Sequence, residues 1–310
     1  MRVIDGFEQL GAALTRSVLT IGNFDGVHRG HQHILATAGR SARQFGVPLA
    51  VLTFEPHPLT IVAPARAPRR LTTAEEKVQQ LAVTGADVLV VARSAPALLS
   101  LEAEAFVQDH LVRWFHPARI IVGADFGFGR QRRGNVETLR RLALQHGYEV
   151  VVADPFYLEV GGERQIISSS LIRSLLTAGR VEEAELCLGR PYALTGVVVR
   201  GDARGAQLGF PTANLAADDL LVLPGDGVYA GTGRIESDLY PAAISIGTNP
   251  TFGGTRTQVE AHLLGFSGEL YGRRLRLEFR RFLRGQRRFA SAAELVEQIA
   301  RDVTEVQRSS

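Results

Sequence analysis

The stretch Val18-Leu19-Thr20-Ile21-Gly22-Asn23-Phe24-Asp25-Gly26-Val27-His28-Arg29-Gly30-His31 passes from an apolar, β-branched run through a glycine-punctuated loop into a helical pattern. Val18-Ile21 predicts a strand, Gly22 and Gly26 serve tight turns, and residues 31–45 predict an amphipathic helix. Two histidines three apart at a helix start face the same way. Backbone N–H groups and the positive end of the helix dipole already favour an anion there. The loop therefore predicts a polyphosphate pocket lined by His28 and His31, with Gly30 letting a nucleotide approach the backbone. His33 lies two residues beyond His31 and points away on a helix, which argues against a three-histidine metal centre.

Working outward, short apolar runs at Val18-Ile21, Pro48-Phe54, Ala86-Val91, Arg119-Val122 and Glu149-Ala153 alternate with helical patterns at 31–45, 74–84, 101–115 and 135–146. Such alternation predicts an α/β Rossmann-like domain with a parallel sheet, whose ligands sit beyond the carboxyl ends of the strands. Leu188-Gly189-Arg190-Pro191 stops a helix and marks a change of character. Beyond it, runs at 192–200, 228–235, 240–247, 256–265 and 274–283, separated by Gly, Pro, Asp and Asn, predict a mainly antiparallel β-barrel. Leu295, Ile299, Val303 and Val306 then mark a C-terminal helix, with Ser291 as N-cap and Glu294 completing a capping box. The expected domains are residues 1–186 and 187–310, which suits a 310-residue chain at about 100–200 residues per domain.

The 35 basic and 32 acidic residues leave a net charge of +3, which suits phosphate-bearing ligands and is too small to imply a nucleic-acid binder. Lys77 is the only lysine. Eight arginines between 273 and 288 interleave with Leu275, Leu277 and Phe279, as on the solvated face of a strand. Cys187 is the only cysteine, which excludes an internal disulfide and a Cys-rich zinc site. No long apolar run occurs, and Asp5 interrupts the N-terminus, so a soluble cytoplasmic protein without a membrane span is expected. A homo-oligomer is compatible with this composition.

Further stretches carry chemistry. Ser169, Ser170 and Arg173 place hydroxyls and a guanidinium at another helix start, a second phosphate grip. Asp125, Phe126 and Phe128 follow a strand in a glycine-rich loop, where rings can stack on a flat ligand and the acid can accept from ring N–H groups. Gly201, Gly205 and Gly209 recur every fourth residue, a loop able to wrap a polyphosphate with N–H groups. It is not a Walker A loop, which needs a lysine. Thr212 and Asn214 project from one face of an extended segment and offer hard oxygens suited to Mg2+.

Across these motifs the chain resembles the bacterial bifunctional riboflavin kinase/FMN adenylyltransferase family over nearly its whole length. The likeness rests on the long His-x-Gly-His loop, Thr53-Phe54-Glu55-Pro56-His57-Pro58, Val122 to Gly129, and Ile167 to Arg173. It continues through Pro211-Thr212-Ala213-Asn214, Gly247 to Gly253, Val259 to Leu264 and Leu270-Tyr271-Gly272. The resemblance implies that the barrel phosphorylates riboflavin to FMN and the α/β domain adenylylates FMN to FAD, both steps using ATP and Mg2+. It implies catalytic roles for His28 and His31 and ATP contacts from Gly22, Phe24, Gly30, Ser169, Ser170 and Arg173, with flavin contacts at Asp125, Phe126 and Phe128. In the barrel it implies ATP contacts at Gly201, Gly205 and Gly209, Mg2+ at Thr212 and Asn214, and Glu260 as general base.

A base is needed where the riboflavin hydroxyl, a neutral alcohol, attacks. FMN brings a phosphate ionised near neutral pH, its second pKa being about 6, and needs none. A nucleotidyltransferase for another phosphorylated acceptor, with an inactive C-terminal domain, leaves the Pro-Thr-Ala-Asn and Val-Glu segments unexplained. The chain departs from the family pattern at Ala206, Gly265, Ser170 and Gln286, where many members carry Arg, an acid, Thr and Glu.

Overall fold

A computed structural model describes the chain except for residues 202–204, 206, 207, 252, 253, 309 and 310, and without the side chains of 11–13, 248–251 and 254–256. The departure at Ala206 thus lies outside the described residues. By internal contacts the chain divides into Met1–Ser169 and Ser170–Ser310.

In the first unit, strands β1 (Arg2–Asp5), β2 (Ser17–Ile21), β3 (Leu49–Glu55), β4 (Val88–Arg93), β5 (Pro117–Gly123) and β6 (Glu149–Ala153) form one sheet in the order β1-β4-β3-β2-β5-β6. Every pairing is parallel. All five residues of the central β2 are buried. Leu19, Ile21, Leu52 and Val90 join Phe106, Phe115 and Leu139 in one core. Val18, Leu49, Val51 and Leu89 join Leu35, Ala38 and Leu81 in the other. Both faces of the sheet are covered, which is why these strands read as continuous apolar runs.

The sequence pattern missed β1, a four-residue strand in which only Ile4 is buried. Pairing with β4, Arg2 opposite Val88, is what defines it. A helix was expected over 101–115; the structure breaks it into Ala103–Phe106, a π-helical stretch Val107–Val112, and Arg113–Phe115. A hairpin of β7 (Tyr157–Val160) and β8 (Glu163–Ile166) turns through Gly161 and Gly162, both at positive φ as a tight two-residue turn requires.

The second unit is built on a closed barrel of β9 (Tyr192–Val199), β10 (Ala213–Ala217), β11 (Gly227–Ile235), β12 (Asp238–Thr251), β13 (Gly254–Leu263) and β14 (Arg274–Arg284). All its pairings are antiparallel. Five strands match the runs expected from the sequence. The sixth, β10, reads Ala-Asn-Leu-Ala-Ala, poor in the β-branched residues that announce a strand, and is formed by pairing with β9 and β13.

The arginines of β14 meet carboxylates: Arg280 with Glu185 at 3.1 Å, Arg281 with Glu305 at 3.4 Å and Arg284 with Asp302 at 2.7 Å. Glu185 lies on the helix Val181–Leu188, so that helix is tied to the barrel. The C-terminal helix Ala292–Arg308 is capped by Ser291, whose hydroxyl accepts from the Glu294 N–H at 3.2 Å. Glu294 reaches back to the N–H of Ala290 rather than that of Ser291, one residue earlier than a capping box requires.

Burial predicts a sharp contrast between two leucines of the first unit. Leu19→Ala, in the core, should destabilise that unit by about 2–5 kcal/mol in urea unfolding. Leu144→Ala, 90% exposed, should change it by less than about 0.5 kcal/mol.

Candidate active sites

The loop after β2 runs to the helix Arg29–Phe45 and holds Phe24 at φ +48 and Val27 at φ +41, with Gly26 at +82 between them. Left-handed backbone is unfavourable for large and β-branched residues. Burial of both side chains, to 2% and 1% exposure, offsets that cost. Polar contacts hold the rest of the loop. The Asp25 carboxylate accepts from the Leu71 N–H at 2.9 Å and the Thr72 N–H at 3.4 Å. The Thr72 hydroxyl accepts from the Gly26 N–H at 3.3 Å, and the Ser169 hydroxyl donates to the Asp25 carbonyl at 3.0 Å. The Asn23 carbonyl accepts from the Thr53 hydroxyl at 3.1 Å and from Lys77 at 3.4 Å.

His28 caps the helix: its Nδ1 accepts from the His31 N–H at 3.3 Å, which leaves the proton of the neutral ring on Nε2. The two imidazoles stack at 3.6 Å with 20° between planes, and Phe24 meets His31 edge-on at 5.2 Å. Burial first, then the electrostatic influence of the adjacent His28 imidazole and of Lys77, holds the His31 pKa well below its usual value, which favours the neutral ring. Its Nδ1 is buried with no hydrogen-bond partner. A Cβ on Gly30 would lie 2.9 Å from the Ile167 carbonyl and 3.1 Å from the His28 ring, so glycine is needed there for packing within the protein itself. A Cβ on Gly22 would meet the Phe24 ring at 3.2 Å.

The other residues singled out up to Arg173 fall as follows. Ser169 begins the helix Ser169–Thr177, on which Ser170 is exposed and Arg173 half-buried. Phe126 and Phe128 stack at 5.4 Å, but Phe128 is a core residue at 7% exposure, packed on Phe106, while Phe126 keeps more exposure and Asp125 is on the surface. His33 lies against Phe156 at 5.6 Å, and no cluster of three or more His, Cys, Asp or Glu able to hold a metal occurs among the described residues. The sequence pattern did not place Glu55, Arg70 and Lys77 against the loop; its signals were that Glu55 falls in the Thr53–Pro58 stretch and that Lys77 is the chain's only lysine.

In the barrel, Asn214 stands opposite Glu260, and Glu260 opposite Ser245. Paired residues share a face, so the three form a row across β10, β13 and β12. Their neighbours Ala213, Leu215, Val259, Ala261, Ile244 and Ile246 are buried, which puts the half-buried row on the outer face of the barrel wall. A Cβ on Gly201 would overlap the Asn214 amide, and one on Gly205 would lie 3.4 Å from the Thr212 hydroxyl. The structure thus brings Gly201, Gly205, Thr212, Asn214 and Glu260 together. Gly209, at φ +85, has an open flank.

His262 Nδ1 donates to the Pro211 carbonyl at 2.8 Å, holding the start of this segment. Gln286 donates to the Ser245 hydroxyl at 3.0 Å and the Ile246 carbonyl at 2.9 Å, which adds Ser245 and Gln286 to a site that sequence spacing could not supply. Two neutral oxygens beside a carboxylate suit a hard divalent cation that also keeps water and phosphate ligands.

Two family models match the chain in tandem, FAD synthetase over residues 11–171 and riboflavin kinase over 188–310. The bifunctional riboflavin kinase/FMN adenylyltransferase of Escherichia coli (strain K12) is 40% identical over 97% of this chain and 96% of its own. The protein of the same name from Bacillus subtilis (strain 168) is 34% identical over 94% and 92%. A crystal structure titled as a macrolide-efflux protein from Streptococcus pneumoniae covers 100% of both chains with a TM-score of 0.87 and 29% identity. Among the described residues, no helix is long and apolar enough to cross a membrane.

The depressed His31 pKa sets a pH dependence. Between the folded-state pKa and the unfolded value of about 6.5, the unfolded chain binds the extra proton. The contribution of His31 to stability is therefore present above pH ~6.5 and declines as pH falls below it. In urea unfolding at stepped pH, the wild type should lose stability below pH ~6.5 more steeply than His31→Asn.

Proposed function

The chain belongs to the bifunctional riboflavin kinase/FMN adenylyltransferase family, and on that footing we propose that it converts riboflavin and ATP to FMN and ADP, then FMN and ATP to FAD and pyrophosphate. The observation that carries this reading is the tandem of family matches, FAD synthetase over residues 11–171, which holds the His28 and His31 loop, then riboflavin kinase over 188–310, which holds the Asn214 and Glu260 row. We assign adenylyl transfer to residues 1–186 and the kinase step to 187–310.

In the kinase step Glu260 takes the proton of the riboflavin 5′-hydroxyl as its oxygen attacks the γ-phosphorus. Backbone N–H groups around Gly201, Gly205 and Gly209 receive the phosphates. Thr212 and Asn214 would hold Mg2+, which when bound neutralises phosphate charge. Register supports this grouping, since Asn214 and Glu260 are directly paired.

In the adenylyl step the FMN phosphate attacks the α-phosphorus of ATP in line, and pyrophosphate leaves. The protein's task is positioning and charge stabilisation. His28 and His31 serve that task as hydrogen-bond donors on the phosphates, with Gly22, Phe24 and Gly30 shaping the loop. Ser169, Ser170 and Arg173 take the leaving phosphates, and Asp125, Phe126 and Phe128 the flavin, Phe126 being the more exposed ring of the pair. A lone, buried cysteine fits a cytoplasmic setting, and the partners are riboflavin, FMN and ATP, with no nucleic acid required.

Chromatography of riboflavin incubated with the full chain and Mg-ATP should show FMN, then FAD. His31→Ala should abolish FAD formation from FMN and spare riboflavin phosphorylation; equal loss of both activities contradicts the division of labour. Glu260→Ala should slow FMN formation by about 100-fold to 10,000-fold and spare FAD formation from added FMN. Parent-rate FMN formation by that variant would remove Glu260 as the base.

A further inference from the structure

Of the 35 lysine and arginine side chains, only Lys77 is lysine, and it is buried to 5% exposure on the helix Ala74–Ala82. Its ammonium meets three oxygens: Glu55 Oε1 at 2.7 Å, the Phe54 carbonyl at 2.9 Å and the Asn23 carbonyl at 3.4 Å. An ammonium has three protons to donate, so this set uses them all. An ammonium so engaged has no proton left to give a phosphate, and its place is structural with respect to substrate. The oxygens belong to two elements. Phe54 and Glu55 end β3, whereas Asn23 lies in the loop that carries His28 and His31. Glu55 is shared with Arg70 at 3.2 Å, which fixes the carboxylate from a second side.

We propose that Lys77 is a positioning residue for adenylyl transfer, pinning the Asn23 carbonyl to the end of β3 and so fixing the loop that presents His28 and His31. This rests on the assignment of that loop to adenylyl transfer. Arginine, used at every other cationic position of the chain, does not fit the same role: a planar guanidinium directs its donors in a fixed fork and is wider than an ammonium. Lys77 also acts electrostatically on His31. The titratable groups acting on that imidazole are His28 from its own turn and Lys77 from the helix Ala74–Ala82, both lowering its pKa after burial itself.

The test compares the full-length wild type, Lys77→Arg and Lys77→Met. It reads kcat and KM for FAD formation from FMN and Mg-ATP, riboflavin phosphorylation by the same samples, and the His31 midpoint from NMR titration. Both variants should lose about tenfold to 100-fold in kcat, the scale of a catalytic group displaced by an ångström, while riboflavin phosphorylation stays at the wild-type rate. Lys77→Met should raise the His31 midpoint; Lys77→Arg keeps the charge and should leave it nearer the wild-type value, so lost geometry and lost charge are read separately. Wild-type kcat in Lys77→Arg, or a rise in KM alone, overturns the proposal. If Lys77→Met does not fold, Lys77→Arg and Glu55→Gln carry the test, and unchanged kcat in both overturns it. A wild type that makes no FAD from FMN overturns the assignment of the loop itself, a result distinct from variants that match an active wild type.

Discussion

Phe24 and Val27 sit in left-handed backbone that costs about 1–3 kcal/mol each for such residues, and the first site depends on that cost being met elsewhere. It is met from several directions. Both side chains are buried among Val18, Leu35, Val51 and their neighbours, beneath the helix that the histidines start. Asp25 is held by the N–H groups of Leu71 and Thr72, and Asn23 by Thr53 and Lys77. A loop restrained this way delivers two stacked imidazoles to a helix N-terminus without further ordering, which is the condition for catalysis by positioning.

The barrel solves its problem by register instead of strain. Closure of six strands leaves no edge to pair with other chains. Alternation sends Ala213, Leu215, Val259 and Ala261 inward and leaves Asn214 and Glu260 on the outer face. A slip of one residue between β10 and β13 would turn every one of these side chains to the opposite face. The same buried contacts that stabilise the barrel therefore set the acid beside the amide.

The sequence made much of this legible where the signal was local. The strand at Val18-Ile21, the helix after it, expected from residue 31 and observed from Arg29 to Phe45, the Ser291 cap and five barrel strands follow from periodicity, capping residues and turn glycines. Where pairing had to supply what propensity lacked, the signal failed. The short β1 and the alanine-rich β10 exist because neighbours offer hydrogen bonds, and the break of the 101–115 helix into a π-helical stretch has no mark in its apolar spacing.

The residues themselves determined that this chain has a parallel α/β half and an antiparallel barrel, that a glycine-punctuated loop brings His28 and His31 to one helix start, and that an acid in an apolar strand, Glu260, stands apart from its neighbours. These are properties of short windows, in which side-chain type and period act directly on the backbone. Only the tertiary structure decided that Lys77 and Glu55 meet beneath the Asn23 carbonyl, that Gln286 reaches Ser245 beside Glu260, and that burial lowers the His31 pKa. Strand register, burial and the field at a buried imidazole depend on which distant segments are brought together, and sequence spacing carries no measure of that.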